Sequence, residues 1–352
     1  MNKHHNTVGW VSAQHVTQRL GRLLCNIGLH LDPSYKQKIL TENPQMAKVI
    51  NVDEIKVIDT SKPLEEQEFI KEQYDIETYP FLSLKIDTFE QLEYLFKEIK
   101  KNELISKEGR STFIYRGQKN SDWFLQCSLE REAKTYGIDV GWCITDHFKV
   151  FTNLLRGKLS DHSVLKNTFS IEEKNEIWAI GQHLGLKTLL LDWTKIFYIA
   201  LFFAFEKELE DKESLEYRAV YRIDTFSLEQ PVGLVDFYYN PYSDQIGRIT
   251  AQQGTFTTYQ AIEVLMGEER RIEQDGISET DKYKCKIRNA IKLYIKNELR
   301  EEIISHLSHL GIRFETIYPD LQGAVLEANY QLERKLKTIK SRRDARQKET
   351  DN

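Results

Sequence analysis

The stretch of residues 184–205 is the most apolar of the chain, and it limits the possible folds more than any other feature. Lys187, Asp192 and Lys195 interrupt it, whereas a bilayer-spanning helix needs about 20 almost unbroken apolar residues. The stretch is therefore read as buried core, with a strand over 188–193 and an apolar helix over 198–205. At 352 residues the chain exceeds the roughly 250 at which a single core stops growing. One main domain with additions is expected.

Flanking patterns fill in the rest. Residues 9–31 carry Val11, Val16, Leu20, Leu24 and Ile27 at helical spacing, and the proline-interrupted, acidic segment after them reads as an accessory region ending at 85. Asp87 or Thr88 can cap a helix running to about residue 101 with Phe89, Leu92, Leu95, Phe96 and Ile99 on one face. Residues 112–118 are β-branched and aromatic and read as a strand, with Arg116 near its end. Helices are expected within 127–158 and 171–184, and strands near 219–223 and 255–258. Residues 285–310 read as one helix closed by Gly311, followed by a last helix past Pro319 and, over 335–348, a frayed basic tail. The fold class is α+β: a mixed sheet surrounded by helices, with a mainly helical N-terminal region. The divisions fall at 1–85, 86–330 and 331–352.

Composition narrows function mostly by exclusion. The net charge of -5 is spread along the length, so no global field favours nucleic acid or membrane, and only the basic tail offers a local nucleic-acid or partner site. Cys25, Cys127, Cys143 and Cys285 form no Cys-x-x-Cys pair, and with no apolar leader at the N-terminus the expected setting is the cytosol, with reduced thiols. No acid and histidine cluster has metal-ligand spacing, so no metal is expected.

Several polar residues sit where apolar carriers would bury them. Arg116 on a strand is costly without an acidic partner or an anionic ligand, and its planar fork suits phosphate or carboxylate. A plain ion pair with Asp192 would serve equally well. Asp192 follows three leucines, which implies a buried carboxylate in need of partners, with helix capping beside Thr194 as the bland alternative. His183, in a Gln-His-x-Gly turn, is more often a packing residue than a catalyst. Gln252 and Gln253, before Gly254, can read an amide or base, or merely close a sheet edge. Trp123, Phe124, Trp193, Phe197 and Tyr198 read as core.

Four ordered segments, Phe113–Gln118, Gln182–Thr194 with Ala200–Ala204, Ala251–Thr257, and Leu310–Ile312 with Tyr318–Leu321, resemble the FRG-domain proteins of bacteria. Lys187 stands where that family more often has proline. A weaker resemblance joins Tyr115-Arg116-Gly117, Trp193-Thr194 and Gln252-Gln253-Gly254 to ADP-ribosyltransferases, in which a split sheet grips NAD. Gly254 replaces the glutamate of that pattern, so Asp192 or Glu263 would have to steady the oxocarbenium-like charge. What the resemblances imply is an NAD-using or NAD-cleaving effector of the toxin or phage-defence kind, acting on a nucleotide or a protein target. Asp192 and His183 would be catalytic, with Arg116, Gly117, Gln118, Thr194, Gln252 and Gln253 binding ligand. The alternative is a sensor module that binds a nucleotide or partner without chemistry.

Overall fold

Among the described residues, eight strands form one mixed sheet in the order β1-β2-β8-β5-β3-β4-β7-β6. They are β1 (Ile70–Tyr74), β2 (Glu77–Ile86), β3 (Phe113–Gln118), β4 (Leu190–Thr194), β5 (Tyr217–Asp224), β6 (Tyr238–Tyr239), β7 (Gly254–Thr258) and β8 (Ala290–Lys296). The structure, a computed structural model, describes residues 52–74, 77–105, 113–123, 125–158, 170–208, 215–225, 238–242, 244, 247–258 and 290–350. Within the sheet β2 and β8 run parallel and the other neighbours antiparallel. The α+β expectation is met.

Two layers of helices cover the sheet. One face carries α1 (Phe89–Ile105), α5 (Phe197–Phe205), α7 (Arg300–His309), α8 (Phe314–Ile317) and the start of α9 (Leu321–Thr350); the other carries α2 (Ser128–Thr135), α3 (Ile144–Leu155) and α4 (Ile171–His183). A short α6 (Arg248–Gln252) leads into β7. Helix α1 begins as its sequence requires: Thr88 Oγ1 accepts from Gln91 N–H at 3.4 Å, and Gln91 Oε1 accepts in return from the Asp87 and Thr88 amides. α5 is apolar all round and lies inside, with Tyr198 and Phe203 alone partly buried among its residues. Its C-terminal carbonyls then have no water, and two buried arginines serve them. Arg218 donates to the Ala204 and Lys207 carbonyls, and Arg300 to those of Phe205 and Glu206. Cations at that end also oppose the helix dipole.

Three expectations need correction. The helix expected over 285–310 is a strand, Ala290–Lys296, before it is a helix: Ile291, Leu293 and Ile295 face one core while Ala290, Lys292 and Tyr294 are buried on the other side. A strand buried on both faces loses the alternation that would betray it. Gly311, at φ +80°, does follow the end of α7. The tail expected to fray is helical to Thr350 and exposed over 334–347, held by Lys337, which meets Glu208, Glu301 and Glu333. Finally, the described part of residues 1–85 contributes strands β1 and β2 to the common sheet, so a cut at 85/86 falls inside β2. The helix expected over 9–31 lies outside the described residues.

Among the described residues no helix is long and apolar enough to cross a membrane. Cys127 and Cys143 are free thiols, and burial pushes Cys127 up to about 12, which keeps it protonated and inert. Cys25 and Cys285 lie outside the described residues.

Candidate functional site

The sheet parts between β3 and β4. β3 pairs with β5 along its whole length, from Phe113↔Asp224 to Gln118↔Ala219, but meets β4 at Tyr115↔Thr194 alone. Arg116 fills the opening. Its Nη1 donates to the Asp192 backbone oxygen at 2.6 Å and lies 3.8 Å from Asp192 Oδ2. The guanidinium thus satisfies a carbonyl at the edge where β3 and β4 have separated. Its Nε is buried and has no hydrogen-bond partner among the described residues, an unmet donor of the kind that a native site supplies from a ligand or water. Burial lowers the Arg116 pKa, and the Asp192 charge opposes that fall.

Beside this gap is a cleft of about 230 Å³, lined among others by Arg116, Ser128, Arg131, Gln182, Lys187 and Asp192. Its wall is set by one chain of hydrogen bonds. Gln182, in the last turn of α4, donates Nε2 to Asp192 Oδ1 and accepts from the Thr188 hydroxyl; the Thr188 amide in turn donates to Ser128 Oγ at 2.9 Å. Helices α2 and α4 are thereby pinned to the entry of β4. Two further cations stand at the cleft: Arg131, donating to the Gln126 carbonyl at 2.5 Å, and Lys187, 3.5 Å from Glu132. Among the described residues the lining sets three cations against one carboxylate, which makes it a place for an anion.

The sequence-predicted site residues divide sharply. Arg116 and Asp192 do converge, but Asp192 is not the buried carboxylate that its leucines implied: its side chain is 64% exposed, against 17% for Arg116. The strand has parted from β3 there, so the residue faces the cleft. His183 sits at the end of α4 with its ring edge-on to Phe256, 6.1 Å between centroids, and does not line the cleft. Its Nε2 is buried and unpartnered among the described residues; burial lowers its pKa, and Asp192 and Asp244 resist the change.

The remaining candidates are engaged elsewhere. Gly117 faces α5, where a Cβ would stand 1.9 Å from the Ala200 carbonyl oxygen, so its role is close packing. Gln118 is buried further along β3, outside the lining. The Thr194 hydroxyl donates to the Gln252 carbonyl at 2.7 Å and accepts from Ile196 N–H, tying β4 to α6. Gln252 donates to the Ile317 carbonyl and Gln253 to that of Thr250, so the first ties α6 to α8, the second closes its own turn, and neither reaches the cleft. Gln253 adopts φ +47° at the end of α6. Trp123, expected in the core, is 51% exposed; Trp193 and Phe197 are buried. Glu263 lies outside the described residues.

Sequence reasoning passed over Ser128, Arg131, Gln182 and Lys187. Gln182 had a signal, as it adjoins His183 in a recognised segment, whereas Arg131 looks like any solvated residue of an amphipathic helix. Two other places on the molecule look less like a site. Glu208, Glu301 and Glu333 converge closely enough for a metal, but the Lys337 ammonium sits on all three and Arg300 on two. A hollow of about 450 Å³ beside Lys337, Ser341 and Asp344 draws its whole lining from α9.

No curated protein and no solved structure matches this chain. The family model described as FRG domain does match, over residues 111–213. That span holds β3, β4, α2 to α5 and every cleft residue named above, and over it the chain is similar to the FRG-domain family.

Proposed function

We propose that the cleft at the parting of β3 and β4 binds the phosphate of a nucleotide or a related phosphorylated small molecule. The observation that carries this reading is the unpartnered, buried Nε of Arg116 beside a lining that also presents Arg131 and Lys187. A guanidinium already committed at Nη1 to the Asp192 carbonyl is held in place before the ligand arrives, so little ordering cost falls on binding. Size supports a phosphate-recognition pocket over one that swallows a dinucleotide. About 230 Å³ is below the roughly 300–1,000 Å³ of sites that enclose a whole drug-sized ligand. The cleft suits a phosphate and part of its sugar, with the rest of the ligand lying outside.

One observation favours a second reading, cleavage of the nicotinamide bond of NAD. The Asp192 carboxylate is exposed at the cleft and oriented by the Gln182 amide, where it could steady a developing positive charge on the ribose. Asp192 would carry that step as the ribose C–N bond breaks, nicotinamide leaves and a water adds in its place; His183 feels the Asp192 charge but does not line the cleft. On this reading, expression of the chain depletes NAD and slows host growth, and Arg116→Ala relieves it.

Calorimetric titration of the full chain with AMP, ADP-ribose, NAD and inorganic phosphate tests the first reading, and nicotinamide release the second. Phosphorylated ligands should bind. Arg131→Ala, at an exposed residue, should weaken them roughly 10-fold or more, the worth of one charge-assisted hydrogen bond. Failure of every phosphorylated ligand to bind at millimolar concentration removes the proposal. NAD turnover that is lost in Asp192→Asn while binding persists would promote the second reading over the first.

A further inference from the structure

Helix α9 has two differently built faces. Gly323, Leu326, Glu327 and Tyr330 turn to the body, where Tyr330 packs on Phe314 and Glu327 accepts from the Phe314 amide. At about 100° per residue the opposite side of the helix carries Leu321, Val325, Leu332, Leu336 and Ile339 in one line, and these are 44–82% exposed. Val325, Leu332 and Ile339 are spaced by seven, with Leu336 four beyond Leu332. That is the narrow seam of a helix that pairs with another helix, not the broad aromatic-bearing face of one that lies in a bilayer surface.

The charges beside the seam define what would cover it. Lys335 and Arg342 lie along one edge, Lys340 along the other, and Arg343 continues the line at its end. Among the described residues no acid shares that outward half. Glu327, Glu333 and Asp344 lie on the other half, where Glu333 is taken up by Lys337 and Asp344 is itself exposed. A second copy of this helix would set these cations against their own kind along the whole contact, which the e and g positions of a helix pair do not tolerate. We infer that the outer face of α9 is a docking surface for an acidic amphipathic helix of another protein, which seats an aliphatic stripe on Leu332, Leu336 and Ile339 and places glutamates against the flanking lysines and arginines.

The surface lies outside the nucleotide-cleft reading and stands or falls separately. The test titrates the full chain with two fluorescein-labelled 28-residue helical peptides that share leucines at the a and d positions, one with glutamate and the other with lysine at e and g. Anisotropy should report binding of the glutamate peptide alone, weakened by sodium chloride as screening sets in. Leu336→Ser and the double variant Arg342→Ser/Arg343→Ser should each weaken it at least 10-fold. These residues are exposed, so the variants should keep the denaturation midpoint of the parent chain. Equal binding of both peptides, no binding of the glutamate peptide, concentration-dependent dimers of the chain by light scattering, or adsorption to phosphatidylserine vesicles that abolishes peptide binding would each overturn the proposal.

Discussion

Strand β3 has two neighbours and treats them differently. Against β5 every residue from Phe113 to Gln118 is paired, and Gly117 brings the strand so close to α5 that no side chain fits between them. Against β4 one pair holds, and the next position is filled by the Arg116 side chain reaching across to the Asp192 backbone. Neighbouring residues of one strand thus serve opposite ends. Gly117 seals an apolar contact, while Arg116 keeps a polar gap open and satisfied. The lesson is that the cleft is not a defect in the sheet: the backbone acceptor exposed by the parting is met by a side chain that retains a donor for something else.

The sharpest way to break this contrast is Gly117→Ala. A Cβ there meets the Ala200 oxygen at 1.9 Å and the Ala204 nitrogen at 2.6 Å, both backbone atoms that cannot swing aside. β3 and α5 must separate, and a loss of about 3 kcal/mol or more is expected, at the upper end of overpacking effects. Urea denaturation measures it; a loss below about 1 kcal/mol would mean that β3 and α5 are not in the close contact described. On the open side Arg116→Ala should cost less, about 1–3 kcal/mol, because it strands one carbonyl that water in the cleft can partly serve. It should also abolish binding of the phosphorylated ligand, whereas Gly117→Ala should act on stability without touching the cleft groups.

Much of the frame was legible in sequence because its elements carry local signals. Asp87 or Thr88 was the expected cap of α1 and Thr88 takes that place, the run from Phe197 to Phe205 is too apolar to lie anywhere but inside, and Gly311 ends α7. β8 was misread because a strand covered on both faces, with Lys292 buried over the Tyr221 and Tyr294 rings, has neither the alternation nor the polarity of an ordinary strand. At the site, the pairing of Arg116 with Asp192 could be anticipated from two charges on apolar strands. Burial of Asp192 could not be judged, since it depends on whether β4 keeps its neighbour, a property of register and not of composition. The Gln252-Gln253 segment resembled a ligand-reading turn, yet its amides are consumed by the Ile317 and Thr250 carbonyls. Gln182 and Arg131 reach the cleft only through the placement of α4 and α2.

A smaller effect concerns His183, which lies behind the open edge. Burial holds its pKa in the folded chain below the ordinary 6.5, so the fold prefers the neutral ring. As pH falls below about 6.5 the unfolded chain takes up the proton first, and stability declines until the folded-state pKa is passed, then levels off. Asp192 and Asp244 favour the charged ring and keep that decline shallow. His183→Gln should remove its share of the decline. Denaturation midpoints at pH 7 and pH 5 should therefore lie closer together in the variant than in the parent; an unchanged difference would show that the ring is as well solvated folded as unfolded.

The smallest expected effect is the most discriminating, because it separates an ion pair from a ligand site. If Arg116 and Asp192 existed to satisfy each other, removing either charge would cost about 3–5 kcal/mol, as breaking a buried pair does. The geometry opposes this: the carboxylate is 64% exposed, its oxygen is 3.8 Å from Nη1, and the short bond runs to the Asp192 backbone, which no substitution of the side chain removes. Asp192→Asn also keeps an oxygen to accept from the Gln182 amide. Its stability should therefore lie within about 0.5 kcal/mol of the parent, as for an exposed pair. In a double-mutant cycle with Arg116→Ala the coupling should be equally small. A coupling of about 2 kcal/mol or more would return Arg116 to a structural role, and the unpartnered Nε would then be all that remained of the case for a ligand.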